Sequence, residues 1–339
     1  MPPSTTASTP TSPVTTCTGA PRSLEVARAC AQLRAGKVSL TLASLAAVNT
    51  SPLSGLDRAH LLHAEVDARL ARGDLHGARD AAARLVSLGA GPGGSAPGED
   101  AVRAVVAHGS GLLALALGDS ESAADELGRV GELLPDADPV LLPWRTGLAL
   151  ALVPLGRQPE AVALATEHLR LARLSGSAHA EGLALRTLAN VTSGGDRSDL
   201  LREARRVLGE SGSSGRLLAQ VDTDLGGLLL LAGGRDEAVG LLRSAETYAG
   251  RQGLAPLLAR AQKLLVLVGE TAGSIPPDAL SDLTVAERRV AALATQGLTN
   301  RQVAEELHVT VKAIEWHLSR VYRKLAIGSR RELAAALGV

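Results

Sequence analysis

Three S/T-x-x-E/Q boxes crowd the last sixty residues of this chain: Thr284 with Glu287, Thr299 with Gln302, and Ser329 with Glu332. In such a box a hydroxyl and a longer side chain satisfy the orphan amides at a helix N-terminus reciprocally. Thr310 supplies a fourth N-cap, although Ala313 leaves its box incomplete. Gly297 stands where the first of these helices ends, because glycine tolerates the left-handed C′ conformation. The spacing therefore predicts a short helix over 300–307, a tight turn, and a longer helix over 311–325. That arrangement is a helix-turn-helix.

The longer helix separates into two faces. At about 100° per residue, Ile314, Leu318, Val321 and Leu325 form one narrow apolar stripe that must pack on the other helices. Opposite lie Lys312, Trp316, Ser319, Arg320 and Arg323, with Glu315 at the edge. Six Lys or Arg residues between 311 and 331 face only Glu315 and Glu332 of opposite sign there or just beyond. A solvated surface helix would account for the charges. It does not account for Trp316, a large apolar ring that is unexpected on an exposed face unless something covers it. A face that enters a DNA major groove accounts for both.

Residues 280–337 resemble the LuxR/FixJ-type DNA-binding domain. The chain carries Leu283-Thr284, Glu287 and Val290, then Gly297-Leu298-Thr299-Asn300 with Val303-Ala304. Thr310-Val311, His317, Val321 and Lys324-Leu325 follow. The resemblance implies that Thr299, Asn300, Thr310 and Lys312 touch phosphates, and that Glu315, Trp316, Ser319 and Arg320 meet the major groove. His317 then lies close to the DNA backbone. The helix from Ser329 matches a frequent dimer contact, with Leu333, Ala336 and Leu337 at suitable spacing. Three positions depart from the family pattern: Ala313, Glu315 and Ala326. Glu315 forgoes a phosphate contact but can accept from cytosine N4.

Between residues 24 and 269 the organising feature is a repeated helical hairpin. Apolar helical stretches end at Gly73-Asp74, Gly118-Asp119, Gly156-Arg157 and Gly233-Gly234, and Ala78, Ala123, Ala161 and Ala238 follow each first glycine by five residues. Gly195 lies midway between the last two, but Leu200 stands where alanine is expected. The local period is about 38 residues, which suits paired-helix solenoids. The region resembles degenerate tetratricopeptide repeats, and the helical portion of large ATP-binding LuxR-family regulators of actinobacteria; an irregular all-α bundle is the alternative.

Composition narrows the remaining classes. The chain has no Phe, two Trp, two Tyr and abundant Ala and Leu, which suits close-packed helices rather than sheets. Its formal net charge is zero, so attraction to DNA must be local. Two cysteines, Cys17 and Cys30, make no disulfide framework and fit a reducing cytoplasm. Residues 1–22, rich in Ser, Thr and Pro, read as a disordered tail. No apolar run reaches transmembrane length free of charge or glycine, so no membrane partner is expected. The segment 89–98 reads as an exposed loop, and 270–281, with Pro276-Pro277, as an interdomain linker.

Signals of enzymatic chemistry are missing from the sequence. There is no G-x-x-x-x-G-K-[ST] phosphate loop and no G-x-S-x-G elbow. His60, His63 and His76 lack a nearby cysteine and are expected to form a surface cluster rather than a zinc site. No cofactor and no metal is expected.

The expectation is an all-α chain: a tail (1–22), a helical-repeat domain (23–269), a linker (270–281) and a four-helix LuxR-type domain (282–339). Its expected function is sequence-specific transcriptional regulation in the cytoplasm, as an activator rather than a repressor. It should bind double-stranded DNA as a homodimer, with the repeats docking a protein such as the transcription machinery. The alternatives are a helical-repeat scaffold or a small-ligand sensor in which the DNA-binding module is secondary.

Overall fold

The computed structural model describes residues 19–89, 98–212, 214–270, 284–295, 298–307, 309–324, 330 and 333. These form sixteen α-helices and, among the described residues, no strand. The first thirteen are α1 (Leu24–Arg34), α2 (Val38–Ala47), α3 (Gly55–Arg72), α4 (Leu75–Gly89), α5 (Glu99–Leu117), α6 (Ser120–Leu133), α7 (Trp144–Leu152), α8 (Gln158–Ser175), α9 (Ala178–Val191), α10 (Arg197–Ser211), α11 (Gly215–Leu231), α12 (Arg235–Gln252) and α13 (Ala255–Leu267). The last three are α14 (Val285–Thr295), α15 (Asn300–Glu306) and α16 (Val311–Lys324).

The hairpin turns fall where the glycine spacing puts them. Gly73, Gly118, Gly156 and Gly233 have φ of 78°, 77°, 73° and 84°. This left-handed conformation reverses the chain at no Cβ cost. The following helix starts two residues later in each case, and Ala78, Ala123, Ala161 and Ala238 are fully buried. The departing copy differs as its leucine suggests. Its positive φ falls on Gly194, Leu200 is half-buried, and Leu201 and Ala204 are the buried residues that follow.

The array does not stay open. Arg216 of α11 donates two hydrogen bonds to the Asp67 carboxylate of α3, both at 2.9 Å, across 149 residues of sequence. The Tyr248 hydroxyl of α12 donates to the Gly36 carbonyl at 3.0 Å, and α13 packs on α3. The last hairpins therefore meet the first. Inside the closure lies a cavity of about 250 Å³, lined from α1, α3, α5, α7, α9 and α11.

The structure corrects two expectations. His60 and His63 are not part of a surface cluster: both line this cavity, with His63 bonded to His108 at 2.8 Å. Only His76 is on the surface, beside Asp80. Helix α5 has the length and apolarity to cross a membrane, but it carries Glu99, Asp100, Arg103 and two glycines, as the sequence reading has it. Its apolarity reflects its place, packed on α3, α4, α6 and α7. Residues 19–22, expected in the tail, are held on α3. Asp57 accepts from the backbone N–H of Arg22 and Ser23 at 2.7 and 2.8 Å, and the His60 ring bonds the Gly19 carbonyl at 2.5 Å. The rest of the expected tail, the interior of the expected loop at 89–98, and 271–281 of the expected linker lie outside the described residues.

Helix pairing also depends on glycines that admit a neighbour. A Cβ on Gly182 of α9 would stand 2.6 Å from Leu208 of α10, which is buried. Gly182→Ala should lower stability by about 1–3 kcal/mol through overpacking, despite its better helix propensity. Gly209, on the same pair of helices, faces open space. Gly209→Ala should raise stability by about 0.5–1 kcal/mol. Urea midpoints of the two variants are expected to move in opposite directions.

Candidate nucleic-acid interface

The C-terminal helices are started by the caps read from the sequence. Thr284 N–H donates to Glu287 Oε2 at 2.8 Å, and Glu287 N–H donates to Thr284 Oγ1 at 3.2 Å. The Thr299–Gln302 box is complete at α15. Thr310 Oγ1 accepts from Ala313 N–H at 3.2 Å and caps α16. Ile314, Leu318 and Val321 are buried together with Val290, Ala291, Ala294, Val303 and Ala304. The stripe of α16 thus closes a small core, and the opposite face is left outside. Gly297, Leu325, Ala326 and the Ser329–Glu332 box lie outside the described residues.

On that outer face Lys312, Glu315, Ser319 and Arg323 are exposed, and Trp316 is 55% exposed. Arg320 stacks over the Trp316 ring at 4.6 Å, while the His317 ring meets the Trp316 ring edge-on at 4.9 Å. His317 is half-buried, and its Nδ1 is enclosed without a hydrogen-bond partner. Thr299 and Thr310 are exposed at the starts of α15 and α16. Among the described residues neither Lys312 nor Arg323 forms an ion pair. The free charges and the indole therefore share one surface.

Three expected contacts are altered by intramolecular partners. Arg320 Nε donates to Glu287 Oε1 at 3.1 Å, so its guanidinium is tethered to α14 while stacking on Trp316. Asn300 Oδ1 accepts from Arg330 at 2.9 Å, and Arg330 also donates to the carbonyls of Ala294 and Leu298. Asn300 is thus occupied in holding the chain after α16. Leu333, expected at a dimer contact, is fully buried in the core of its own domain. Its apolar spacing serves that core. Ala336 and Leu337 lie outside the described residues.

Glu287 was not singled out beyond its cap, and it proves to be the anchor of the domain. It is 1% exposed and accepts from Thr284, Arg320 and Lys324. Burial alone would push its carboxyl up. Hydrogen bonds from Lys324 and Thr284 outweigh that and hold the pKa down at about 2. Because the folded value is depressed, this stabilisation is complete above the unfolded value of about 4.3 and disappears as pH falls toward 2. Glu287→Gln should cost about 1–3 kcal/mol at pH 7 and flatten the acid side of the C-terminal domain's stability between those pH values. Unfolding followed by Trp316 fluorescence at pH 7, 4 and 3 measures both effects.

Comparison with known proteins agrees with this geometry. Residues 281–337 match the family model described as bacterial regulatory proteins, luxR family. Over 58 residues the chain is 38% identical to a putative HTH-type transcriptional regulator of Mycobacterium bovis, which is 17% of this chain and 7% of that protein. Over 51 residues it is 41% identical to the tetrathionate response regulatory protein TtrR of Salmonella typhimurium, 15% of this chain and 25% of that protein. The chain therefore matches only a small part of these relatives' length. In fold, 90% of the chain is similar to 88% of a Rap protein solved in complex with competence and sporulation factor, with a TM-score of 0.56 and 14% identity. The helical region is thus of the tetratricopeptide-like type, and the matched family is one of transcriptional regulators, not of enzymes. Residues 281–337 thus carry a DNA-binding domain of the luxR type, joined in this chain to a helical-repeat array.

Proposed function

We propose that the chain is a cytoplasmic transcriptional activator that reads its operator with α16 and is controlled through its helical repeats. The observation that carries the reading is the outer face of α16: Trp316 exposed, with exposed Lys312 and Arg323 beside it, over a core that the opposite face completes. Lys312, Arg323, Thr299 and Thr310 are assigned to phosphates. Trp316, Ser319 and Glu315 are assigned to base edges, and His317 to the backbone beside them. Arg320 reads a base only through the part of its guanidinium that Glu287 leaves free.

The repeats are assigned a regulatory role because the sequence offers no nucleotide-hydrolysing loop and the array encloses a cavity. The Rap protein of similar fold was solved with a factor bound, which supports a binding role for an array of this kind. Docking of a protein such as the transcription machinery is assigned to the outer surface. The closed interior is too small for a folded partner.

Phosphate contacts should make binding steeply dependent on salt. With two to four cationic contacts per protomer, a dimer should show a log–log salt slope of about −4 to −7. Lys312→Ala should weaken binding nearly uniformly across sequences. Ser319→Ala and Trp316→Ala should change preference at particular base pairs by about 1–3 kcal/mol. Titration of the three variants on selected and random duplexes checks this, and equal losses on both kinds of DNA for all three would overturn the base-edge assignment.

A single module of this size buries little DNA, and helix-turn-helix proteins pair across twofold operators. Two protomers per operator are expected, with half-sites about one helical turn apart. Since Leu333 is enclosed, the partner contact of this stretch falls to Ala336 and Leu337. Sedimentation of the saturated complex should give two chains per duplex. One chain on an intact palindrome would refute the dimer.

A further inference from the structure

The cavity inside the helical array carries a charge that no described carboxylate neutralises. Three arginines and one aspartate line it: Arg34, Arg186, Arg216 and Asp67. Arg216 is paired with Asp67 at 2.9 Å. Arg186 is paired with Asp224 at 2.7 Å. Arg34 has no carboxylate and no hydrogen-bond partner among the described residues. It nonetheless sits close enough to Cys30, His60 and His179 for its charge to act on all three.

The histidines do not add to this charge or compensate it. His63 and His108 bond each other at 2.8 Å, and His179 Nδ1 bonds Ser214 Oγ at 3.1 Å. Burial holds His63 and His179 at a pKa of about 4, so both are neutral at pH 7. A half-buried guanidinium is left sharing the cavity with aliphatic side chains, among them Leu33, Leu112, Leu115, Leu150 and Leu183. A cation in such surroundings is costly unless paired, and a carboxylate pairs with guanidinium through two parallel hydrogen bonds.

We infer that this cavity is a binding site for a small aliphatic carboxylate, with Arg34 receiving the carboxylate and the leucines receiving the hydrocarbon body. At about 250 Å³ the space lies just below the range of drug-sized pockets, of order 300–1,000 Å³. It suits a metabolite of modest length. The inference deepens the regulatory role proposed for the repeats, but its test does not depend on DNA.

The experiment uses the full chain and follows its thermal unfolding with straight-chain acids from butyrate to octanoate, each against the neutral amide of the same length. At least one acid should raise Tm saturably, by roughly 5–10 °C at a hundredfold excess over its Kd. The matching amide should not. Arg34→Gln should weaken the acid at least tenfold without lowering the unliganded Tm or the DNA affinity, and Arg34→Lys should retain part of the response. Leu183→Phe narrows the cavity and should move the preferred acid to a shorter chain, which keeps the test open if Arg34→Gln folds poorly. Equal stabilisation by acid and amide, undiminished binding by Arg34→Gln, or no response to any acid overturns the site. Loss of DNA binding with the ligand response intact would instead count against the proposed function and leave the cavity assignment standing.

Discussion

Asp67 and Arg216 stand 149 residues apart and meet as a bidentate ion pair, and the form of the helical array follows from that meeting. Burial works against both charges. Each keeps its charge because the other is there: the guanidinium holds the Asp67 carboxyl below its usual range despite desolvation. Such a pair adds little to stability beyond a well-packed apolar contact, but losing one partner strands the other. Its contribution is therefore to geometry. It fixes the first hairpins against the late ones and turns what a repeat array usually offers as an open concave face into an enclosed space.

The C-terminal domain uses a carboxylate in a related way at smaller scale. Glu287 begins α14, completes its cap and reaches across to Arg320 and Lys324 on α16. Two of the cations that the helix carries are thereby committed to holding it in place. The charge left for a polyanion is concentrated on Lys312 and Arg323, beside the exposed indole of Trp316. In a chain of zero formal charge this division gives one surface with local positive character and a rigid mounting. Arg330 supplies the mounting on the other side, through Asn300 and the carbonyls of Ala294 and Leu298.

What could be read from the sequence was local. Thr284, Thr299 and Thr310 start helices because a cap needs only its own next three residues, and the amphipathic period of α16 selects Ile314, Leu318 and Val321 for burial. The glycine-to-alanine spacing of the hairpins was legible for the same reason. Closure was not, because nothing near Asp67 announces Arg216. His60 and His63 show the limit clearly. Their spacing places them on one side of α3, but whether that side meets water or the far end of the array depends on helices more than a hundred residues away. Leu333 shows it again, since an apolar stripe gives no sign of whether its partner is the domain's own core or a second chain. Arg320 and Asn300 read as DNA contacts by position, while their tethers to Glu287 and Arg330 come from packing.

The most direct measurement is methylation interference on a duplex selected from random sequence by the intact chain. Guanine N7 lies in the major groove and adenine N3 in the minor groove. If α16 enters the major groove, N7 methylation should block binding in two patches about one helical turn apart, and replacing Trp316 or Ser319 should relieve interference at individual guanines. Interference confined to adenine N3, or none at any guanine of a guanine-containing site, would contradict the account.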